Sequence, residues 1–434
     1  MSRLTPATAW ALYDWANSAF ATVVMAGFFP LFFKQYWAGS LPTTESTFWL
    51  GMTMTLASVV LILVAPVIGG LADVLGWRKR VLIQFTLLGA GATAALWLLP
   101  QGAWVWALLL YGLASFAFMA ANIAYDALLP TVAEPGQFGR VSSRGFALGY
   151  LGGGVLFALC VGMTLQPDWF GLRDAAQAVS LSFLLTGLWW LLFSLPLMRR
   201  VVEHAPANPP PLRRAMRASL GQWRASWRHL RAEPRALTFL VAYWLYIDGV
   251  DTVIRMAVDY GLSIGLPADG LIIALLIVQF VGFPATLLYG RLAGRIGMAR
   301  AIFAGLGVYF LIVLWATRMN SALEFYLLAV GVGLVQGGVQ AMSRAYFAHL
   351  TPAGREGEFF AFYNMLGKFA ALFGPILVGA LTLASEDHRI GMLAVLPLFA
   401  GGAWLLWRAE RLSPPSGEGC KARMSRAPGP SHRR

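Results

Sequence analysis

Residues 48–80 read FWLGMTMTLASVVLILVAPVIGGLADVLGWRKR, a run without a charge from Phe48 to Leu71 that gives way to Asp73 and then to Arg78, Lys79 and Arg80. A hydrocarbon core of about 30 Å takes roughly 20 helical residues per crossing, so this stretch predicts a transmembrane helix that ends in a cationic loop. Similar runs recur along the whole chain. Spans are expected near 11–33, 48–71, 81–99, 103–125, 145–165, 178–198, 237–261, 270–290, 301–317, 322–343, 359–383 and 390–407. The fold class is therefore an all-α polytopic membrane protein with twelve transmembrane helices.

Orientation follows from arginine and lysine, because cationic loops are retained on the cytoplasmic side during insertion. Connections after spans 2, 4, 6, 8 and 10 hold Arg78, Lys79 and Arg80, then Arg140 and Arg144, then nine arginines from Arg199 to Arg235, then Arg291, Arg295 and Arg300, then Arg344 and Arg355. The opposite connections carry little positive charge, and Arg389 there sits beside Glu386 and Asp387. Both termini are thus expected in the cytoplasm. The composition agrees, with 58% hydrophobic and 12% charged residues and a formal charge of +13. Charge spread over loops that topology already requires to be basic gives no support to nucleic-acid binding. The first run is too long for a signal-peptide core and carries Asp14, so it is expected to stay as span 1.

Cys160 lies inside span 5 and Cys420 near the C-terminus, too far apart to pair, and the five histidines fall in or beside loops without ligand spacing. No Ser/His/Asp set, phosphate-cradling loop or paired carboxylates of a soluble domain are present. Neither an enzyme nor a cofactor or metal site is expected.

The chain divides into a six-span bundle at 1–198, a linker at 199–236, a second bundle at 237–410 and a polar, proline-rich tail at 411–434 expected to stay disordered. Past the prolines of the linker, Leu212, Met216, Leu220, Trp223, Trp227 and Leu230 recur at helical spacing among arginines. They predict an amphipathic helix on the cytoplasmic membrane surface, serving either as a tether or as a regulatory element.

The two bundles resemble each other. Asp14-x-x-Asn17 corresponds to Asp248-x-x-Asp251, Gly69-Gly-Leu-Ala-Asp73-x-x-Gly76 to Gly290-Arg-Leu-Ala-Gly294-x-x-Gly297, and Gly149 to Gly374, in the same order and at similar offsets. Such parallel repeats are a plan used by many secondary transporters. The run Gly69 to Arg80 resembles the loop 2–3 signature of the major facilitator superfamily, departing from it at Val74 and Trp77. The stretches Ala11 to Phe20 and Tyr246 to Arg255 are similar to a narrower branch, the bacterial relatives of vacuolar amino-acid effluxers. The likeness covers the chain except linker and tail. It implies two pseudo-symmetric six-helix bundles of the major facilitator fold, a bacterial inner-membrane location and export of amino-acid-like solutes. The arginine-bearing span 4 motif of drug antiporters is missing, and Tyr150 stands where their span 5 motif has proline, which weakens multidrug export.

Ionisable groups inside apolar spans are costly and by default mark a pathway. Asp248, Asp251, Arg255 and Asp259 share one stripe of span 7. Arg255 can pair with Asp251 and Asp259, leaving Asp248 as the first candidate for a proton-titrating carboxylate and Asp14 as the second; a purely structural ion-pair stripe is the alternative. Asp14 and Asn17 share a face of span 1, where Asp14 can instead serve the helix dipole. Gln336, Gln340 and Arg344 follow one another at i+4 in span 10, and Asn122 and Asp126 do so in span 4, at equivalent places in the repeat. Asp126 and Arg344 are expected either to close the inner mouth together or to cap their own helices. Asn364 and Lys368 mark span 11, with Lys368 set to meet a substrate carboxylate, to pair with Asp248 or Asp14, or to snorkel. Asp73 and Arg78 are assigned to gating, Asp73 beside a helix N-terminus.

These features describe a secondary transporter working by alternating access on a small polar solute, with proton coupling expected. A cation-coupled importer of another solute such as a sugar, and a non-transporting receptor or scaffold, are the alternatives. The partners are the solute, protons and the lipid bilayer, with no obligate protein partner.

Overall fold

The computed structural model describes residues 4–203, 210–211, 214–215, 222–263, 268–319, 321–385 and 388–412, and these residues are helical without a strand. The long helices are α1 (Pro6–Trp37), α2 (Thr43–Leu75), α3 (Arg78–Leu98), α4 (Trp104–Ala127), α5 (Phe138–Leu165), α6 (Ala175–Arg200), α7 (Pro234–Ser263), α8 (Ala268–Ile296), α9 (Met298–Ala316), α10 (Ala322–Leu350), α11 (Glu356–Ser385) and α12 (Arg389–Arg411). Among the described residues eleven helices are long and apolar enough to cross a membrane. In α11 the apolar stretch among the described residues is the shorter Phe373–Ser385.

Several helices run past the expected spans. Hydropathy marks the thickness of the hydrocarbon core, whereas a helix continues until its end groups find a cap. Gly76 ends α2 with φ 64°, in the left-handed region, and this turn brings Arg78 back toward Asp73. Ser321 and Glu324 form a reciprocal capping box at the start of α10, and Asp174 accepts from Gln177 N at 2.7 Å at the start of α6. Helix α1 widens into π turns at Phe20–Phe28 and Phe33–Trp37, which no spacing in the sequence announces.

The packing repeats. Helix α1 lies on α5 and α6 as α7 lies on α11 and α12, while α4 packs on α2 and α3 as α10 packs on α8 and α9. Between the halves, α2 meets α11 and α5 meets α8, a pair of contacts that exchanging the halves maps onto each other. The glycine correspondence has a physical basis: a Cβ on Gly149 would run into Ser18 of α1, and one on Gly374 into Thr252 of α7. Close crossings of this kind, built on small residues, hold helices together in lipid. Around the outside, Leu63, Leu311 and Ile376 are 62%, 65% and 67% exposed, an apolar periphery that suits a multi-pass membrane protein.

The linker helix, Gln222–Arg231, rests on α2, α7 and α11 at the end of the bundle where the linker runs. Leu230 is buried there and the Trp227 ring lies 6.4 Å from that of Phe362. The sequence leads one to expect that apolar face in the headgroup layer; Leu230 meets protein, while Trp227 keeps 42% of its surface exposed. Residues 212–213 and 216–221 of the expected helix, and the tail from 413, lie outside the described residues.

Candidate functional site

A cavity of about 540 Å³ lies between the halves. It extends from Arg344, near the linker end, to Ala316, Met319 and Phe325 around the α9–α10 connection at the opposite end. Of the residues expected on the pathway, Asp14, Asn17, Asp251, Gln336, Gln340 and Asn364 line it. Asp126 and Arg344, expected at the gate, line it too.

Arg344 of α10 is 3% exposed and reaches into the other half. Its Nη2 lies 3.1 Å from Asp14 Oδ2 and its Nη1 3.2 Å from Asp126 Oδ1. Nε donates to Ser142 Oγ at 2.9 Å and Nη2 to the Ser142 carbonyl at 3.1 Å. The guanidinium carbon stands 4.3 Å from the Phe146 ring centroid and 4.7 Å from that of Trp10. A planar fork with five donors suits this crowded seat in a way a lysine ammonium does not. The carboxylates have further partners: Tyr125 Oη donates to Asp14 Oδ2 at 2.8 Å and Asn364 Nδ2 to Asp126 Oδ2 at 2.9 Å. Asn17 donates to Asn122 at 2.7 Å, extending the polar floor. Gly145 of α5 leaves room for the pair, since a Cβ there would collide with Asp14 and approach Arg344 Nη2 to 3.1 Å.

Helix α1 starts at Pro6, capped by Thr5, four residues before the Trp10 start that would place Asp14 in the first turns. Asp14 is therefore beyond the reach of the helix dipole, which fades within a turn, and faces an arginine instead.

Toward the linker end the halves are held a second time. Asp73 of α2 accepts from Gly357 N and Glu358 N, each at 2.8 Å, at the start of α11. Arg78 donates to Asp73 Oδ1 at 2.7 Å and to Glu356 Oε2 at 2.6 Å. A carboxylate on the first amides of a helix satisfies orphan donors and meets the positive end of the dipole. The linker joins this seal from both sides. Glu203 accepts from Arg78 N and Lys79 N at 3.1 and 2.8 Å, and His229 of the linker helix lies 3.0 Å from Glu358.

Asp248 departs from expectation. Its carboxylate is 2% exposed, accepts from Gly374 N at 3.0 Å, and is not among the residues lining the cavity. The close α7–α11 crossing turns it toward α11. The side chains of Arg255, Asp259 and Lys368 lie outside the described residues; among the described side chains the cation facing Asp14 is Arg344. Sequence reasoning missed Glu356 and Glu358, although two acids opening a helix after Gly354-Arg355 are a legible N-terminal signal. It also missed Glu203 and His229, which carry no such signal.

The family model described as "Vacuole effluxer Atg22 like" matches residues 5–137 and 136–412. The MFS-type transporter YxiO of Bacillus subtilis is 35% identical over 399 residues, covering 92% of this chain and 93% of that protein. Autophagy-related protein 22 of Eremothecium gossypii is 25% identical over 421 residues, covering 85% and 79%. Among solved structures, the human organic anion transporter MFSD10 superposes with a TM-score of 0.69 at 15% identity, over 92% of this chain and 98% of that one. The E. coli fucose:proton symporter FucP, as a point variant, gives 0.66 at 12% identity, over 94% and 98%. At such identities the structures speak for the fold alone.

Proposed function

Because the chain belongs to the family of Atg22-like vacuole effluxers, MFS-type membrane transporters, we propose that it exports small amino-acid-like solutes by alternating access, coupled to protons. Twelve spans with both termini in the cytoplasm complete this reading, and the bacterial inner membrane is its location. The linker end is then the cytoplasmic end, and the described state is closed toward the cytoplasm.

The observation that carries the reading is the cavity between the halves with a charged floor shared by both. Binding sites in transporters of this plan lie at the repeat interface. A zwitterionic solute needs charged and amide partners on several sides at once, and Asp14, Asn17, Gln340, Arg344 and Asn364 converge there from α1, α10 and α11. Gln336 Oε1 is buried without a hydrogen-bond partner among the described residues, an acceptor that a solute N–H can satisfy.

Purified protein in liposomes loaded with a panel of labelled amino acids, under an imposed pH gradient, tests the reading. Flux above empty liposomes that a protonophore abolishes is expected. Flux of none of them overturns it.

A further inference from the structure

We propose that Asp14 and Asp126 are the coupling site, holding one proton between them whenever Arg344 withdraws. This rests on the transport reading above and names the groups that would link proton and conformation. The acids belong to α1 and α4, in one half, and the guanidinium to α10, in the other. Opening the linker end must therefore pull the cation away from both carboxylates together.

Two carboxylates that had shared a counter-ion are then left side by side. Like charges in a site shielded from bulk water favour protonation of one of them. The proton arrives from cavity water while the linker end is closed, since both residues line the cavity; it leaves at the opened linker end as the ammonium of a solute takes its place beside the carboxylates, and Arg344 then returns.

Among the described residues the other titratable groups around the pair include Tyr13 on α1, Tyr125 on α4, Tyr243 on α7 and Tyr363 on α11, and the carboxylate of Asp251 on α7 lines the same cavity. Free phenols ionise near pH 10, so the tyrosines do not compete for the proton. Helix α5 offers the hydroxyl and carbonyl of Ser142, and its Arg144 turns to Thr8. Lys368 of α11 lies outside the described side chains.

The sign follows from linkage. In the closed state Arg344 faces both acids, and its withdrawal leaves them without that cation, so the open state holds a proton more tightly than the closed one. Lower pH must then favour opening, by at most tenfold per pH unit for one proton.

The test uses Ala361→Cys in a Cys160→Ala, Cys420→Ser background in nanodiscs. Ala361 of α11 is fully buried beside Gly69 of α2, so a maleimide reaches it only when the linker end opens. Labelling, expressed relative to that of the exposed Ala232→Cys at the same pH so that thiol ionisation cancels, should rise at least tenfold from pH 8 to pH 5. In D14N/D126N that ratio should be high at pH 8 already, with a shallower slope than in the parent. Asp73, Glu356, Glu358 and His229 lie at the same end in parent and variant alike, so the difference in slope is the readout.

Equal slopes, or a flat parent, overturn the assignment. If the double variant does not fold, D14N and D126N singly must each shift the midpoint of the labelling profile, and an unmoved midpoint in both overturns it equally. Solute flux persisting with unchanged pH dependence in D14N/D126N sinks this site and leaves the transport reading standing. Absence of flux in the parent sinks that reading instead.

Discussion

Arg344 and Asp126 meet across the boundary between the halves, Nη1 to Oδ1 at 3.2 Å, although they occupy equivalent ends of α10 and α4 in the duplicated plan. The repeated packing sets the two positions at matching places on either side of the boundary, and opposite charges there turn the repeat into an attraction. The same guanidinium also holds Asp14, so one residue ties α10 to two helices of the other half.

Replacing that residue tests how much depends on its shape. Arg344→Gln leaves two buried carboxylates without their cation, a change that costs about 3–5 kcal/mol in buried pairs; a lowered melting temperature and loss of transport are expected. Arg344→Lys keeps the charge but cannot span both acids and Ser142 together, so it should fall between the parent and Arg344→Gln in both measurements. A lysine variant indistinguishable from the parent would show that the fork geometry is irrelevant.

Gly145 should tolerate no side chain. Gly145→Ala places a methyl against Asp14 and Arg344, and overpacking of this kind costs about 1–3 kcal/mol. Transport should drop at least tenfold with a lower melting temperature, whereas Gly136→Ala, where a Cβ meets nothing within 4 Å, should match the parent. Comparable effects at both glycines would remove the steric argument.

The helices and the duplication were legible in the sequence because each leaves a local trace: span-length apolar runs, basic loops after alternate spans, and glycines at matching offsets. The Asp126–Arg344 pairing was legible only because the repeat placed the two at equivalent ends. What depends on how one helix rolls against another was not. Asp248 and Asp14 occupy equivalent positions, yet one turns to the backbone of Gly374 and the other to Arg344, and no period in the sequence separates them. The partner of the linker helix was hidden for the same reason, since its apolar face is equally suited to lipid and to protein.

The seal nearer the linker should weaken in a graded way. Asp73→Asn removes the charge that faces the start of α11 and Arg78, while Glu356→Gln leaves Arg78 its bond to Asp73. A carboxylate at a helix N-terminus contributes about 0.3–2 kcal/mol. Maleimide labelling at Ala361→Cys should therefore rise several-fold in Asp73→Asn and less in Glu356→Gln. The reverse order would place the weight of the seal on the Arg78–Glu356 pair.

The direction in which the cavity faces depends on which end of the bundle lies in the cytoplasm, and two exposed positions decide it. Trp169, in the α5–α6 connection, is 81% exposed at the end away from the linker. Ala232, just after the linker helix, is exposed at the other. With Cys160 and Cys420 replaced, Trp169→Cys should react with a membrane-impermeant maleimide on intact cells and Ala232→Cys only after lysis, since arginine-rich connections stay inside. The opposite pattern would turn the protein over in the bilayer. The seal of Asp73 and Arg78 would then close the outer face, and the described state would be open toward the cytoplasm.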